Sequence, residues 1–152
     1  MSKTSDRLAE LGIELPPVAA PIAAYVPARR VGDQVWTSGQ LPVVGGKLVT
    51  TGKLGGGVSL ADGADAARVA ALNGLAAVAS QVGGVDNIRS VLRVVVFVAS
   101  APDFTDQAKV ANGASEVIGE IFGEAGVHVR SAVGVAVLPL DAPVEVELVV
   151  EA

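Results

Sequence analysis

The sequence feature that most constrains the fold is a pair of strand-like segments near the C-terminus, 128–139 and 144–150, which are strongly apolar yet contain charges. The first segment contains Arg130, and the second contains Glu145 and Glu147. A charged side chain in such surroundings must be paired, exposed at an edge, or used for binding or chemistry. The environment of these three charges is therefore the main indication of function that the sequence offers.

Length and composition predict a single folded domain outside the membrane. The chain has 152 residues, which is enough to bury one core. It contains no cysteine, so disulfides and thiolate sites are excluded. No apolar stretch approaches the roughly 20 residues that span a bilayer, and the polar N-terminus does not have the pattern of a signal peptide. We therefore expect a cytoplasmic protein with no membrane partner.

Charge and composition argue against a nucleic-acid partner and favour a protein partner. The formal net charge is -5, with only 11 Lys and Arg residues and 3% aromatic residues. Binding to phosphates needs clustered cations, and stacking on bases needs aromatic side chains. Hydrophobic residues make up 51% of the chain and charged residues 18%. We expect part of this apolar surface to lie between subunits.

Hydrophobic periodicity and turn residues predict the element order β-β-α-β-α-β-β. In chain order, the predicted elements are strands over 25–31 and 34–41, a helix over 59–82, a strand over 88–98, a helix over 103–123 and the two C-terminal strands. A short helix precedes them, with Ser5 as its N-cap and Gly12 as its end, and Ser59 caps the first long helix. These elements predict an α+β fold in which a mixed sheet of about four to six strands carries two helices on one face.

Small residues lead to two predictions about packing. Gly113 and Gly119 lie inside the second long helix, where each costs about 1 kcal/mol relative to alanine, so we expect close packing at both. In the strand that contains Arg130, alternate residues after the arginine are small as far as Ala136, while valines occupy most of the intervening positions. We expect the valine face to pack against the helices and the small-residue face to meet another backbone, such as that of a neighbouring chain.

Two interpretations of Arg130 stay open at this point. Its guanidinium offers a planar fork to a ligand carboxylate, or it forms an internal ion pair with Glu145 or Glu147. If the last two strands form a hairpin with its turn at 140–141, Arg130 and Glu145 lie on the order of 20 Å apart. In such a hairpin these two charges meet only across a subunit interface.

The two glutamates point to the same face of their strand because they are two residues apart. Like charges placed in this way raise the pKa of at least one carboxyl group if the pair is partly buried, which suits a general acid or base. The alternative is an ordinary solvated strand face.

Four further polar residues are candidates for a site. Tyr25 is the sole tyrosine, and Ser38 ends a strand immediately before Gly39. Asn112 stands beside Gly113, and this pair of poor helix formers indicates a packing or ligand requirement. His128 is the sole histidine, and without partner acids it favours an edge role over a triad or a metal site. For Tyr25 and Ser38 a purely structural role stays open.

Four blocks of the sequence carry a family resemblance. The blocks are 25–27, 37–42, 96–98 with Asp103-Phe104, and 130–147. In this order and separation they resemble the Rid family, also called YjgF, the reactive-intermediate deaminases. The resemblance covers about residues 20–150, and the segment 11–16 is similar to an N-terminal extension of one less characterised branch. We therefore expect a single domain over 1–152, of which 1–20 is the extension.

The resemblance implies a chorismate-mutase-like fold and a homotrimer with ligand clefts between its subunits. Rid deaminases hydrolyse 2-imino acids to 2-oxo acids and ammonia without a metal or an organic cofactor, so neither is expected here. By resemblance, Arg130 binds the carboxylate of a small imino acid, and Glu145 positions or activates the attacking water. The other residues that the resemblance assigns to the cleft are Tyr25, Ser38, Gly39, Asn112 and Ala132.

Departures from the family pattern leave three functions open. Ala132 stands where typical deaminases have a cysteine, and Gly134 stands where several have a glutamate. The first function is an enamine/imine deaminase acting on small 2-imino acids, and the second is a non-catalytic module that binds a small carboxylate or another metabolite. The third, an endoribonuclease or translation inhibitor, has little support from the acidic charge and the few aromatic residues.

Overall fold

The computed structural model describes residues 3–20 and 23–152 of the chain, and the remaining part of the expected domain, residues 1, 2, 21 and 22, lies outside this description. In the described residues the helices are α1 (Thr4–Leu11), α2 (Leu60–Val82) and α3 (Gln107–Phe122). The strands are β1 (Ala28–Val31), β2 (Gln34–Thr37), β3 (Val43–Val44), β4 (Lys47–Leu48), β5 (Ser90–Ala99), β6 (Val129–Val135) and β7 (Val144–Glu151). The predicted α+β order is confirmed.

One mixed sheet with the strand order β1-β2-β7-β5-β6 forms the frame, and β3 and β4 form a separate hairpin. Strand β5 pairs in parallel with β6 and antiparallel with β7. The predicted hairpin of the last two strands is therefore wrong, because β5 lies between them. Strand β5 is apolar without interruption over 94–99, and its position between two neighbours satisfies its backbone hydrogen bonds on both edges.

Helices α2 and α3 cover one face of this sheet. Alternate residues of β5 and β7 point into the core beneath them: Val94, Val96, Val98, Val144, Val146, Leu148 and Val150 are all buried. The close packing predicted at Gly113 is present, because a Cβ atom there would overlap the carbonyl oxygen of Ala64 in α2. The same prediction is wrong for Gly119, where a Cβ atom would meet no atom of the described residues within 4 Å.

The predicted helix ends are confirmed with two exceptions, of which the first is that α3 begins at Gln107 and not at 103, because residues 102–103 form a turn. The Ser59 hydroxyl accepts a hydrogen bond of 3.1 Å from the backbone N–H of Asp62, and Gly12 closes α1 in the left-handed conformation. Ser5 is not an N-cap, because α1 already begins at Thr4. Its hydroxyl instead donates a 2.8 Å hydrogen bond to the carboxylate of Asp86, which ties α1 to the loop after α2.

The prediction for the two faces of β6 is also wrong. Arg130 and Ala132 pair with Val94 and Val96, whose side chains point to the helices. The small-residue face therefore lies under α3, where small side chains let the helix approach the sheet. The valine face points away from the helices, and Val133 on it is 44% exposed. Among the described residues, no helix is both long enough and apolar enough to cross a membrane.

Candidate functional site

Arg130 is held against α3 by groups that carry no formal charge. Its Nη1 donates hydrogen bonds of 2.8 Å to Asn112 Oδ1 and 3.0 Å to Ser115 Oγ. Its Nη2 donates a 3.3 Å hydrogen bond to the carbonyl oxygen of Ala108. The acceptors lie on neighbouring turns of one helix face, so α3 positions the guanidinium as a unit. The structure thus brings together two of the predicted site residues, Arg130 and Asn112.

The Ser115 hydroxyl links Arg130 to His128. Ser115 Oγ lies 2.8 Å from His128 Nε2, and His128 Nδ1 lies 2.6 Å from the carbonyl oxygen of Gly126. A carbonyl oxygen only accepts, so the proton of a neutral His128 is on Nδ1, and Ser115 donates to Nε2 while accepting from Arg130. His128 therefore lies at the start of the edge strand β6, as expected, and also holds the serine that supports Arg130.

Ser115 was missed by sequence reasoning, although a signal was available. It follows Asn112 by three residues, which places both side chains on one face of a helix. The prediction of a site at Asn112 could therefore have included Ser115, which lies one turn further along α3.

One edge of the Arg130 guanidinium remains available to a ligand. Within 3–20 and 23–152, the internal hydrogen bonds use both hydrogens of Nη1 and one of Nη2, and Nε has no partner. The Nε–H and the second Nη2–H form a fork that matches a carboxylate. No salt bridge of the described residues includes Arg130, so the internal ion pair with Glu145 or Glu147 is absent.

Glu145 lies near the start of β7, opposite Phe97 of β5, and is half-buried. A Cβ atom on Gly39 would lie 2.6 Å from the carboxyl carbon of Glu145, so this contact requires a glycine. Burial raises the pKa of the Glu145 carboxyl, and repulsion from Glu147 raises this pKa further. The predicted effect of two glutamates on one face is thus present at Glu145, whose carboxyl group keeps its proton to a higher pH than usual.

Tyr25 and Gly39 share one cavity with Glu145. The cavity has a volume of about 670 Å³ and lies between the N-terminal segment, the β3–β4 hairpin and the start of β7. Ser38 holds the segment that contains Tyr25, because its hydroxyl donates a 2.6 Å hydrogen bond to the carbonyl oxygen of Val26. The hydroxyl is used in this contact, so the structure gives Ser38 a supporting position beside the cavity.

The candidate residues therefore form two groups within one chain. Tyr25, Gly39 and Glu145 surround the cavity, whereas Arg130 and Asn112 lie under α3, with Ala132 on the same face of β6. Val94 pairs with both Arg130 and Leu148, so Arg130 lies two strands and three residues away from Glu145. This corresponds to roughly 14 Å between Cα atoms, with the side chains on opposite faces of the sheet. The estimate of about 20 Å assumed a hairpin that does not form, but the two charges are separate within the chain.

In the part of the chain that the structure describes, no group of three or more acidic or histidine side chains is placed to hold a metal ion.

The sequence matches the family model described as "YjgF/chorismate_mutase-like, putative endoribonuclease" over residues 5–152. This chain belongs to the YjgF/chorismate-mutase-like family. It is 45% identical to Protein TCP17 of Trypanosoma cruzi over 152 residues, which cover 98% of this chain and 94% of that protein.

Two solved structures place the fold in the same family. A protein of Shewanella oneidensis described as "a putative endoribonuclease" is 36% identical, with a TM-score of 0.95 over 99% of this chain and 100% of that one. TdcF of Escherichia coli with bound serine is 27% identical, with a TM-score of 0.64 over 91% of this chain and 94% of that one. The similarity to TdcF concerns a relative that binds a small amino acid.

Proposed function

We propose that this protein hydrolyses 2-imino acids to 2-oxo acids and ammonia at a cleft between two of its subunits. The observation that carries the proposal is the environment of Arg130. Neutral groups orient its guanidinium, and within the described chain no carboxylate neutralises it. An oriented cation with an open fork is suited to the carboxylate of a ligand.

Glu145 supplies the proton transfers in this proposal. In the carboxylate form it takes a proton from a water molecule, whose oxygen adds to the carbon of the protonated imine, and the electrons of the C=N bond move to the nitrogen, which becomes a neutral amine. The carboxylic acid then gives this proton to the amine, and the C–N bond breaks to release ammonia. The hydroxyl proton returns to the Glu145 carboxylate as the carbonyl group forms, and ammonia takes it up as ammonium. A carboxyl group with a raised pKa is a better base when ionised and is more readily reprotonated near neutral pH.

The proposal includes a homotrimer because Arg130 and Glu145 lie too far apart within a single chain to contact the same small ligand. The sheet face that points away from the helices exposes large apolar side chains, with Trp36 at 53% and Val133 at 44%. Such an apolar sheet face favours burial against other copies of the chain. In the assembly we propose, Arg130, Asn112 and Ala132 of one subunit face Tyr25, Ser38, Gly39 and Glu145 of the next.

The test is the loss of imine formed in situ from an amino acid by an amino-acid oxidase. We expect the protein to accelerate this loss and Arg130→Ala to reduce the acceleration by at least about a hundredfold, since a charge-assisted bidentate contact is lost. Arg68→Ala is the matched control, because Arg68 forms a surface salt bridge of 3.3 Å with Glu120. Equal rates with and without the wild-type protein would contradict the proposal.

A second candidate function is binding without turnover, and the serine bound to TdcF favours it. In that case small carboxylates stabilise the protein against thermal unfolding, Arg130→Ala removes the stabilisation, and no imine is consumed.

The relative described as "a putative endoribonuclease" is the reason to include an RNA substrate in the test. We expect no cleavage that depends on Arg130, since a net charge of -5 disfavours binding to a phosphate backbone.

A further inference from the structure

The cavity beside Glu145 is larger than a three- or four-carbon imino acid requires. Its volume of about 670 Å³ falls within the range of roughly 300–1,000 Å³ that is typical of pockets for drug-sized ligands. A small acid with its reacting carbon at Glu145 leaves most of this space unfilled.

The wall of the cavity is mainly apolar. Its lining includes Pro16, Pro17 and Val18 of the N-terminal segment, together with Leu41, Val43 and Leu140. The prolines have no N–H group, so they bring no backbone donor that needs a partner inside the cavity.

Two polar side chains of the wall, Asn73 and Gln40, donate hydrogen bonds to backbone carbonyl groups. Asn73 is buried, and its amide nitrogen donates hydrogen bonds of 3.1 Å to the carbonyl of Leu41 and 3.0 Å to that of Val43. Gln40 donates a 3.3 Å hydrogen bond to the carbonyl of Ser38. Because these N–H groups already bond the backbone of the wall, they are not offered to a ligand. The cavity is therefore suited to an apolar group.

We infer that this cavity receives the side chain of the substrate, and that the preferred substrates are 2-imino acids with large aliphatic or aromatic side chains. The inference rests on the proposed function. The imine carbon is planar and has three substituents, namely the carboxylate, the nitrogen and the side chain. With the carboxylate at Arg130 of the neighbouring subunit and the carbon at Glu145, the side chain enters the cavity. The N-terminal segment 16–20 is then a determinant of specificity, and the substrate is larger than the small imino acid expected from the sequence.

The first experiment compares imines generated in situ from alanine, leucine and phenylalanine. Burying one methylene group changes a binding constant about fourfold. We therefore expect kcat/KM to be at least about tenfold higher for the leucine-derived and phenylalanine-derived imines than for the alanine-derived imine. Equal values for the three imines, or a preference for the alanine-derived imine, overturn the inference while leaving the deaminase proposal intact.

The second experiment fills the cavity. Ala19 lies in its wall, in a segment without helix or strand, so Ala19→Trp places an indole there without altering the core. We expect kcat/KM for the leucine-derived imine to fall about tenfold and that for the alanine-derived imine to stay within about twofold. Ala9→Trp, on the exposed side of α1, is the matched control. An equal loss for both imines contradicts a role of the cavity in specificity.

If no imine is hydrolysed, the proposed function is wrong. The inference about the cavity is then tested by the binding of 2-oxo acids. The probes are then pyruvate and 4-methyl-2-oxopentanoate, measured by their stabilisation of the wild-type protein against thermal unfolding. We expect 4-methyl-2-oxopentanoate to act at a concentration at least about tenfold lower than pyruvate. Half-maximal effects at the same concentration, or no effect of either acid, overturn the inference.

Discussion

At the scale of single residues, Arg130 is a cation that neutral groups of the chain hold in one orientation. Hydrogen bonds to Asn112, Ser115 and Ala108 fix the orientation of the guanidinium without neutralising its charge. An internal ion pair would have compensated the charge and blocked the fork. The sequence could not decide between these environments, because the acceptors lie 15 to 22 residues away from Arg130 on a separate helix.

Removal of the Ser115 hydroxyl tests whether this network positions Arg130. A hydrogen bond to a charged group contributes about 1.5 kcal/mol or more, which corresponds to roughly tenfold in affinity. We expect Ser115→Ala to raise KM for an imino acid about tenfold and to change kcat by less than twofold, since only carboxylate binding is affected. Ser80→Ala is the control, because its hydroxyl donates to the Ala77 carbonyl of its own helix. A fall in kcat with unchanged KM would contradict the assignment.

Glu145 makes stability depend on pH in a definite direction. Because burial raises its pKa above the ordinary value of a glutamate, the folded state holds this proton more tightly than the unfolded state does. The free energy of unfolding therefore decreases as the pH rises above the unfolded pKa, and the loss is complete above the folded pKa.

Glu145→Gln removes this dependence. We expect the variant to be more stable than wild type at neutral pH and about equal to it near pH 4, where both forms of the residue are neutral. Thermal unfolding across this range measures the difference. Glu116→Gln, at an exposed position of α3, is the matched control for the loss of one carboxyl group. A variant that is less stable than wild type at neutral pH would show that the buried carboxylate is stabilised instead.

At the scale of elements, local patterns predicted what each segment forms but not how the segments meet. Helix α2 runs from its predicted cap Ser59 to Val82, within one residue of its predicted span. Strands β6 and β7 were expected to pair, yet β5 lies between them. Periodicity reports the faces of an element, whereas the order of strands depends on contacts across the chain. The same limitation reversed the two faces of β6.

Substitution of Gly113 tests directly whether α2 and α3 pack closely at this position. Alanine favours a helix by about 1 kcal/mol over glycine, but at this position its Cβ atom would overlap the Ala64 carbonyl oxygen. We expect Gly113→Ala to lower the free energy of unfolding by about 1–3 kcal/mol. Gly119→Ala, in the same helix with open space around it, is expected to be neutral or stabilising by up to about 1 kcal/mol. Denaturant unfolding measures both, and equal effects would contradict the packing.

At the scale of the whole molecule, the two groups of candidate residues do not meet within one chain, and the proposed function requires both. Arg130 and Glu145 lie on opposite faces of the sheet, and the face away from the helices exposes Trp36, Val129 and Val133. In the assembly that we propose, this face is buried and the Arg130 group of one subunit, on the edge strand β6, faces the Glu145 group of the next. The sequence indicated excess apolar surface, but it could not show which face carries that surface.

Mixed oligomers of two inactive variants test this account most directly. Arg130→Ala subunits retain Glu145, and Glu145→Gln subunits retain Arg130. If each site takes Arg130 from one subunit and Glu145 from the next, an equal mixture that is unfolded and refolded has complete sites at about one quarter of its interfaces. We therefore predict imine hydrolysis at about one quarter of the wild-type rate, from variants that are each inactive alone. No recovered activity in mixed oligomers of confirmed composition would contradict a site shared between subunits.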